Sequence, residues 1–154
     1  MGPSLIGVVG PTAAGKTALS LAVARRLGRA ELLNADSRQL IRGLTVATCS
    51  PSAEELGGVP CHLLGICEPG ADLSVAGWVN RARDIVDDAG RRGVRLIMVG
   101  GTGLFVDALV DGFEVAAPPP DPASRADRDH RAGLPGGVAA LAAELAERDP
   151  QAAA

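Results

Sequence analysis

The chain has 154 residues, 47% of them hydrophobic, and a formal charge of -3 at pH 7; it is long enough for one domain with a real core and lacks the broad basic field of a free-standing nucleic-acid binder. One Trp, two Phe and no Tyr leave packing to Leu, Val, Ile and Ala and supply little for base-stacking platforms. Cys49, Cys61 and Cys67 lack paired C-x-x-C spacing and read as small buried or half-buried residues of a reducing compartment, and no apolar run approaches the ~18–20 residues that span a bilayer.

Met1-Gly2-Pro3 leads straight into an apolar stretch without a charged leader, which points to a cytoplasmic rather than a secreted protein. Ser4 to Val9 reads as a short buried strand. Gly10-Pro11-Thr12-Ala13-Ala14-Gly15-Lys16-Thr17 then fits the G-x-x-x-x-G-K-[ST] phosphate loop at every fixed position. From Lys16 to Leu27 apolar residues recur at helical spacing, and Gly28 closes the helix. Strand, glycine loop and helix follow in the order that aims backbone N–H groups and the positive end of the helix dipole at one anion. Lys16 adds a charge for the outer phosphate, and the Thr17 hydroxyl is placed to reach a phosphate-bound Mg²⁺.

Glu31 to Ala35 reads as a second strand that delivers Asp36-Ser37-Arg38-Gln39 at its carboxyl end, the rim where open α/β sheets hold ligands. The same cluster suits a cap, with Asp36 or Ser37 accepting a bond from the turn that follows. Leu44 to Gly58 is irregular apart from a brief helix start at Ser50-Pro51-Ser52-Ala53-Glu54-Glu55. His62 to Ile66 reads as a third strand, and His62 is open to a structural or a functional role. A longer helix begins at Ser74 and runs through Ala89, closed by Gly90 and Gly93 around Arg91-Arg92. Val94 to Val99 is a core strand entering Gly100-Gly101-Thr102-Gly103, a second glycine-rich strand-to-helix turn. If the strands are parallel, Thr102 reaches the same rim as the phosphate loop.

The composition shifts near Gly112: Ala116 to Pro122 is proline-rich and reads as an extended connector. Arg125, Arg128 and Arg131 follow at intervals of three on a charged helical turn, and Val138 to Arg148 forms an Ala/Leu-rich helix. The expected organisation is a phosphate-loop α/β core over 1–112, a connector over 113–123 and a partial helical insertion over 124–154, with a parallel sheet flanked by helices.

The loop alone is open to a small-molecule phosphotransferase using ATP or to a diphosphate-binding protein without turnover, although the strongest later strand ends in Gly-Gly-Thr rather than in the acidic residue that supports Mg²⁺ in ordinary NTPases. Taken together, the phosphate loop, Asn34-Ala35-Asp36-Ser37-Arg38-Gln39, Arg42-Gly43-Leu44, Val59-Pro60 with His62-Leu63, and Val99-Gly100-Gly101-Thr102-Gly103-Leu104 resemble the tRNA dimethylallyltransferase family in order and spacing over nearly the whole chain. The resemblance implies transfer of a dimethylallyl group from dimethylallyl diphosphate to N6 of an adenine beside the tRNA anticodon. In that reading Gly10 to Thr17 hold the diphosphate, with Mg²⁺ at Thr17, and Asp36 is the general base, with Lys16 and Thr102 also in the catalytic set. Asp36, Ser37, Arg38, Gln39, Thr102 and Arg125 match tRNA-contacting positions. The chain departs from the family pattern at Ile41, Ser50, Cys61, Gly65 and Phe105, and family members continue beyond Asp149-Pro150. The expectation is therefore a monomeric member cut short in its tRNA grip.

Overall fold

The computed structural model describes residues 5–71, 74–112 and 121–153. The chain divides into two compact units, Met1–Val115 and Ala116–Ala154. In the first, β1 (Leu5–Val9), α1 (Lys16–Leu27), β2 (Ala30–Asn34), α2 (Thr45–Thr48), α3 (Ala53–Leu56), β3 (Cys61–His62), α4 (Val75–Arg92), β4 (Arg95–Gly100) and α5 (Gly103–Val110) follow in order. The second holds α6 (Pro122–Ala132) and α7 (Gly137–Arg148).

The four strands form one parallel sheet in the order β1-β4-β2-β3. β4 lies between β1 and β2, paired Leu5 with Leu96 on one side and Ala30 with Arg95 on the other. From Leu96 to Gly100 every residue of β4 is buried, as expected for a strand covered on both faces. Its side chains alternate between two apolar layers. Leu96 and Met98 join Leu33, Trp78, Val79 and Phe105 beneath α4 and α5, while Ile97 and Val99 join Leu21, Ala24 and Leu32 beneath α1. These two layers carry the stability of the unit through removal of apolar surface from water.

Several boundaries differ from the sequence reading. β3 is two residues long because Leu63 turns into the left-handed region at φ 57° and leaves the sheet. α4 begins after Ser74, whose hydroxyl accepts from the Gly77 N–H, and it runs through Gly90 to a left-handed Gly93 cap. Residues 113–120 of the predicted connector lie outside the described residues. Pro122, however, is helical: the Asp121 carboxylate caps Ala123 and Ser124, and a proline in the first turn forfeits only an N–H that has no helical partner. Thr45–Thr48 adds a one-turn helix within a stretch that reads as irregular. In the second unit, α6 and α7 are joined by Arg131 Nη2 to Glu144 Oε2 at 2.6 Å.

An ion cluster fastens the amino end of β2 to the neighbouring elements. Arg92, from the last turn of α4, forks onto Glu31 at 2.6 and 2.8 Å, its Nε meets Asp88 at 2.6 Å, and His62 Nε2 lies 2.7 Å from Glu31. The Glu31 side chain is only 12% exposed. Its carboxyl drops from 4.5 to about 2, first because Arg92 hydrogen-bonds the carboxylate, with His62 helping and burial opposing. A depressed carboxyl stabilises the fold above its unfolded value and loses that effect as pH falls through the folded one. The urea midpoint of the wild type should therefore exceed that of Glu31→Gln at pH 7. That margin should shrink as the pH is lowered from about 4.5 towards about 2, and a constant margin across that range would remove Glu31 from the linkage.

A second constraint sits at the opposite end of the sheet. A Cβ added at Gly100 would lie 2.2 Å from both the carbonyl carbon and the carbonyl oxygen of Ala35. No side chain fits there unless the backbone moves. Gly100→Ala should lower stability by more than about 3 kcal/mol, at the upper end of overpacking costs, seen as a lower urea midpoint with an unchanged slope.

Candidate functional site

The rim formed by the carboxyl ends of β1, β2 and β4 carries the phosphate loop, the Asp36 segment and the Gly-Gly-Thr turn. After β1 the backbone enters the left-handed region at Ala13 (φ 64°) and again at Gly15 (φ 76°), immediately before α1. A left-handed residue is rarely tolerated outside glycine, and such turns gather N–H groups into concavities suited to anions. Gly15 offers no side-chain cap to α1, and the first turn holds no acidic residue. The orphan N–H groups and the positive helix end are thus left for a ligand. Lys16 Nζ donates to the Pro11 carbonyl at 2.7 Å across the loop.

Facing the loop is the segment after β2. Ladder pairing continues past Asn34, with Ala35 N–H donating to Val99 O at 2.8 Å and Thr102 N–H donating to Ala35 O at 3.1 Å. Asp36 follows, half-buried. Its Oδ1 accepts from the Arg38 N–H at 2.9 Å, so the carboxylate does serve as a turn cap, as the sequence allows. The Thr102 hydroxyl accepts from the Ser37 N–H at 2.9 Å and lies 3.3 Å from the Ser37 hydroxyl. That pair clips the turn before α5 to the Asp36 segment.

A cleft of about 660 Å³ lies between the two walls, lined by Thr12 to Thr17 on one side and Asp36 and Gln39 on the other. The structure thus brings Thr12, Ala13, Ala14, Gly15, Lys16, Thr17, Asp36 and Gln39 together. Gly10 and Pro11 belong to the loop but do not line the cleft, and Ser37 and Thr102 stand behind Asp36. Arg38 is exposed. Gln39 uses its amide to hold the carbonyls of Thr48 and Cys49 at 3.0 and 3.4 Å, which fixes the far wall. Arg125 is exposed on α6, in the other unit.

His62 takes the structural role through Glu31. Cys61 and Cys67 are half-buried, and burial pushes the Cys61 thiol up to about 11. Cys49, expected to be at least half-buried, is exposed on the cleft wall because the short α2 ends there in a left-handed turn. Sequence reasoning quoted Asn34 only as part of a motif, yet it is buried to 1% and bonds both the N–H and the carbonyl of Asp36. A polar residue closing an apolar strand pattern was the available signal, since burial obliges it to find partners.

Strand order, left-handed loop and open helix end define a phosphate-loop α/β protein whose loop faces a carboxylate across one cleft. Residues 39–154 match the model of the IPP transferase family, and the chain belongs to that family. Among similar proteins, the tRNA dimethylallyltransferase of Anaeromyxobacter dehalogenans (strain 2CP-1) is 48% identical over 149 residues, with 97% of this chain and 48% of the relative covered. That of Bifidobacterium longum (strain NCC 2705) is 42% identical, with 97% and 46% covered. The crystal structure of the full-length tRNA isopentenylpyrophosphate transferase of Bacillus halodurans superposes with a TM-score of 0.72 at 37% identity, over 98% of this chain and 49% of that one. A eukaryotic dimethylallyltransferase acting on tRNA has a TM-score of 0.78 at 22% identity, over 97% and 37%, and shares the fold. The chain spans about half the length of the curated relatives it matches.

The loop geometry predicts that Lys16→Ala weakens binding of inorganic pyrophosphate about 10- to 100-fold, the equivalent of one charge-assisted hydrogen bond. Isothermal titration would measure this, and unchanged affinity would detach the loop from anion binding.

Proposed function

We propose that this protein transfers a dimethylallyl group from dimethylallyl diphosphate to N6 of an adenine beside the anticodon of tRNA. One observation carries the reading: the phosphate loop and the Asp36 carboxylate form opposite walls of a single cleft. Family membership and the names of the relatives support it.

In this reading the diphosphate lies on the loop amides and the amino end of α1, with Lys16 against its oxygens. The adenine N6 forms a bond to the allylic carbon as the carbon–oxygen bond breaks, and pyrophosphate leaves with the electron pair. The attacking amine becomes acidic only as the new bond forms, and Asp36 takes its proton. The cradle acts by stabilising charge as it develops on the leaving group and by holding two substrates in one cleft. An adenine reaches such a site only out of its stack, which fits a loop rather than a duplex.

Mg²⁺ fits the donors present. Thr17 offers its hydroxyl to the cleft that the phosphate loop lines. Hard oxygen donors completed by phosphate and water suit Mg²⁺; when bound, it neutralises charge on the leaving diphosphate. Ser37, Arg38, Gln39, Thr102 and Arg125 are assigned to the tRNA side, with Gln39 also bracing the wall. Among the described residues no helix is long and apolar enough to cross a membrane, and we place the protein in the cytoplasm, as a monomer, with tRNA.

The test is transfer of a labelled dimethylallyl group to unmodified tRNA by this chain with Mg²⁺. Incorporation should occur and fall about 10²- to 10⁴-fold in Asp36→Ala, the range for loss of a general base, with pyrophosphate affinity near normal. Equal loss of binding would make Asp36 structural. ATP-dependent phosphorylation without prenyl transfer would replace the reading with a phosphotransferase.

A further inference from the structure

We infer that Asn34 is a positioning residue that sets the Asp36 carboxylate in the cleft; the inference rests on the assignment of Asp36 as the base. Asn34 closes β2 and is 1% exposed; the only other buried polar or charged side chain among the described residues is Ser20. Two of its three side-chain hydrogen bonds go to Asp36. Oδ1 accepts the Asp36 N–H at 3.1 Å, while Nδ2 donates to the Asp36 carbonyl at 3.1 Å and to the Leu63 carbonyl at 3.0 Å. Both backbone groups of Asp36 are therefore held by one planar amide.

Two further contacts hold this residue and its partner in place. Leu63 adopts φ 57°, a conformation that L-residues other than Asn and Asp seldom take, and its carbonyl is one of the groups Asn34 binds. The main-chain carbonyl of Asn34 accepts the indole N–H of Trp78 at 3.2 Å, and Trp78 stacks on Phe105 with ring centroids 4.4 Å apart. Phe105 N–H in turn donates to the carbonyl of Thr102, whose hydroxyl holds Ser37. Asp36 is thus fixed from before by Asn34 and from after by the Ser37–Thr102 clip.

The residue type follows from the chemistry. Only an amide presents an acceptor and a two-proton donor in one short planar group. A carboxylate at 34 would lack the donors and would set a second negative charge beside Asp36. Misplacement of a reacting group by about 1 Å costs on the order of 10²-fold in rate.

Asn34→Ala and the milder Asn34→Ser should be compared with wild type and with Ile85→Ala, a stability control in α4. Dimethylallyl transfer at saturating substrates should fall about 10²-fold in Asn34→Ala, with Asn34→Ser intermediate. The KM for dimethylallyl diphosphate should stay within about twofold, as uniform binding is untouched. Hydrogen exchange at the Asp36 amide should quicken about tenfold or more while the amides of Leu33 and Met98 keep their protection. Ile85→Ala should lower the melting temperature and leave both readouts alone. If Asp36 exchange and the transfer constant are unchanged in a folded Asn34 variant, the inference fails; it also fails if rate tracks melting temperature through all variants. Should wild type transfer nothing, the functional reading fails separately, and Asp36 exchange alone decides whether Asn34 sets its position.

Discussion

The contact on which the site depends is the approach of the Ala35 backbone to Gly100. Because position 100 has no side chain, the end of β2 runs against the end of β4 closely enough for Ala35 to donate to Val99 and to accept from Thr102. Ladder pairing thereby extends one residue past β2, and Asp36 emerges at the rim instead of drifting into the following loop. The same approach seats the turn before α5, so that Thr102 meets Ser37. A parallel sheet already sends strand ends to one side. The glycine decides how near to one another those ends come.

Electrostatics adds a second division between the two ends of the sheet. At the amino end of β2 charge is neutralised within the protein, where Glu31, Arg92, His62 and Asp88 satisfy one another. At the carboxyl ends it is not: α1 has no side-chain cap and no acidic first turn, and Lys16 leans on a backbone carbonyl instead of a carboxylate. Such an arrangement satisfies charge within the protein at the amino end and leaves the positive end of α1 uncompensated at the opposite one. The chain's modest net charge is compatible with this because the attraction is local.

Much of this was legible in the sequence because the signals are local. The phosphate loop announces itself by spacing, β4 by an unbroken apolar run, and Asp36 by its place just after a strand. What escaped depends on distant partners. Nothing near Glu31 indicates Arg92, 61 residues later, and nothing near Gly100 indicates that Ala35 is the neighbour that occupies the space of its missing Cβ; the Gly-Gly-Thr-Gly run reads as a glycine-rich turn that carries Thr102 to the rim. β3 reads as five residues because His62-Leu63-Leu64-Gly65-Ile66 is apolar, but Leu63 is turned out of the sheet into the left-handed region, with its carbonyl on Asn34. The proline at 122 misleads in the opposite sense, since a breaker in a helix interior is well tolerated in a first turn.

The near absence of aromatics sharpens the point. With one Trp, two Phe and no Tyr, the chain has three aromatic side chains, and Trp78 and Phe105 are stacked on each other directly behind the Asn34–Asp36 segment. The rest of the core is built from aliphatic side chains in two layers, which suffices for burial of apolar area. Aromatic rings contribute something aliphatics do not: broad rigid faces and, in Trp, a single directed N–H. Their placement behind the wall that carries Asp36 braces the segment from which that carboxylate projects. Directed contacts are thus concentrated behind the Asp36 segment, and the aliphatic layers elsewhere supply burial of apolar area.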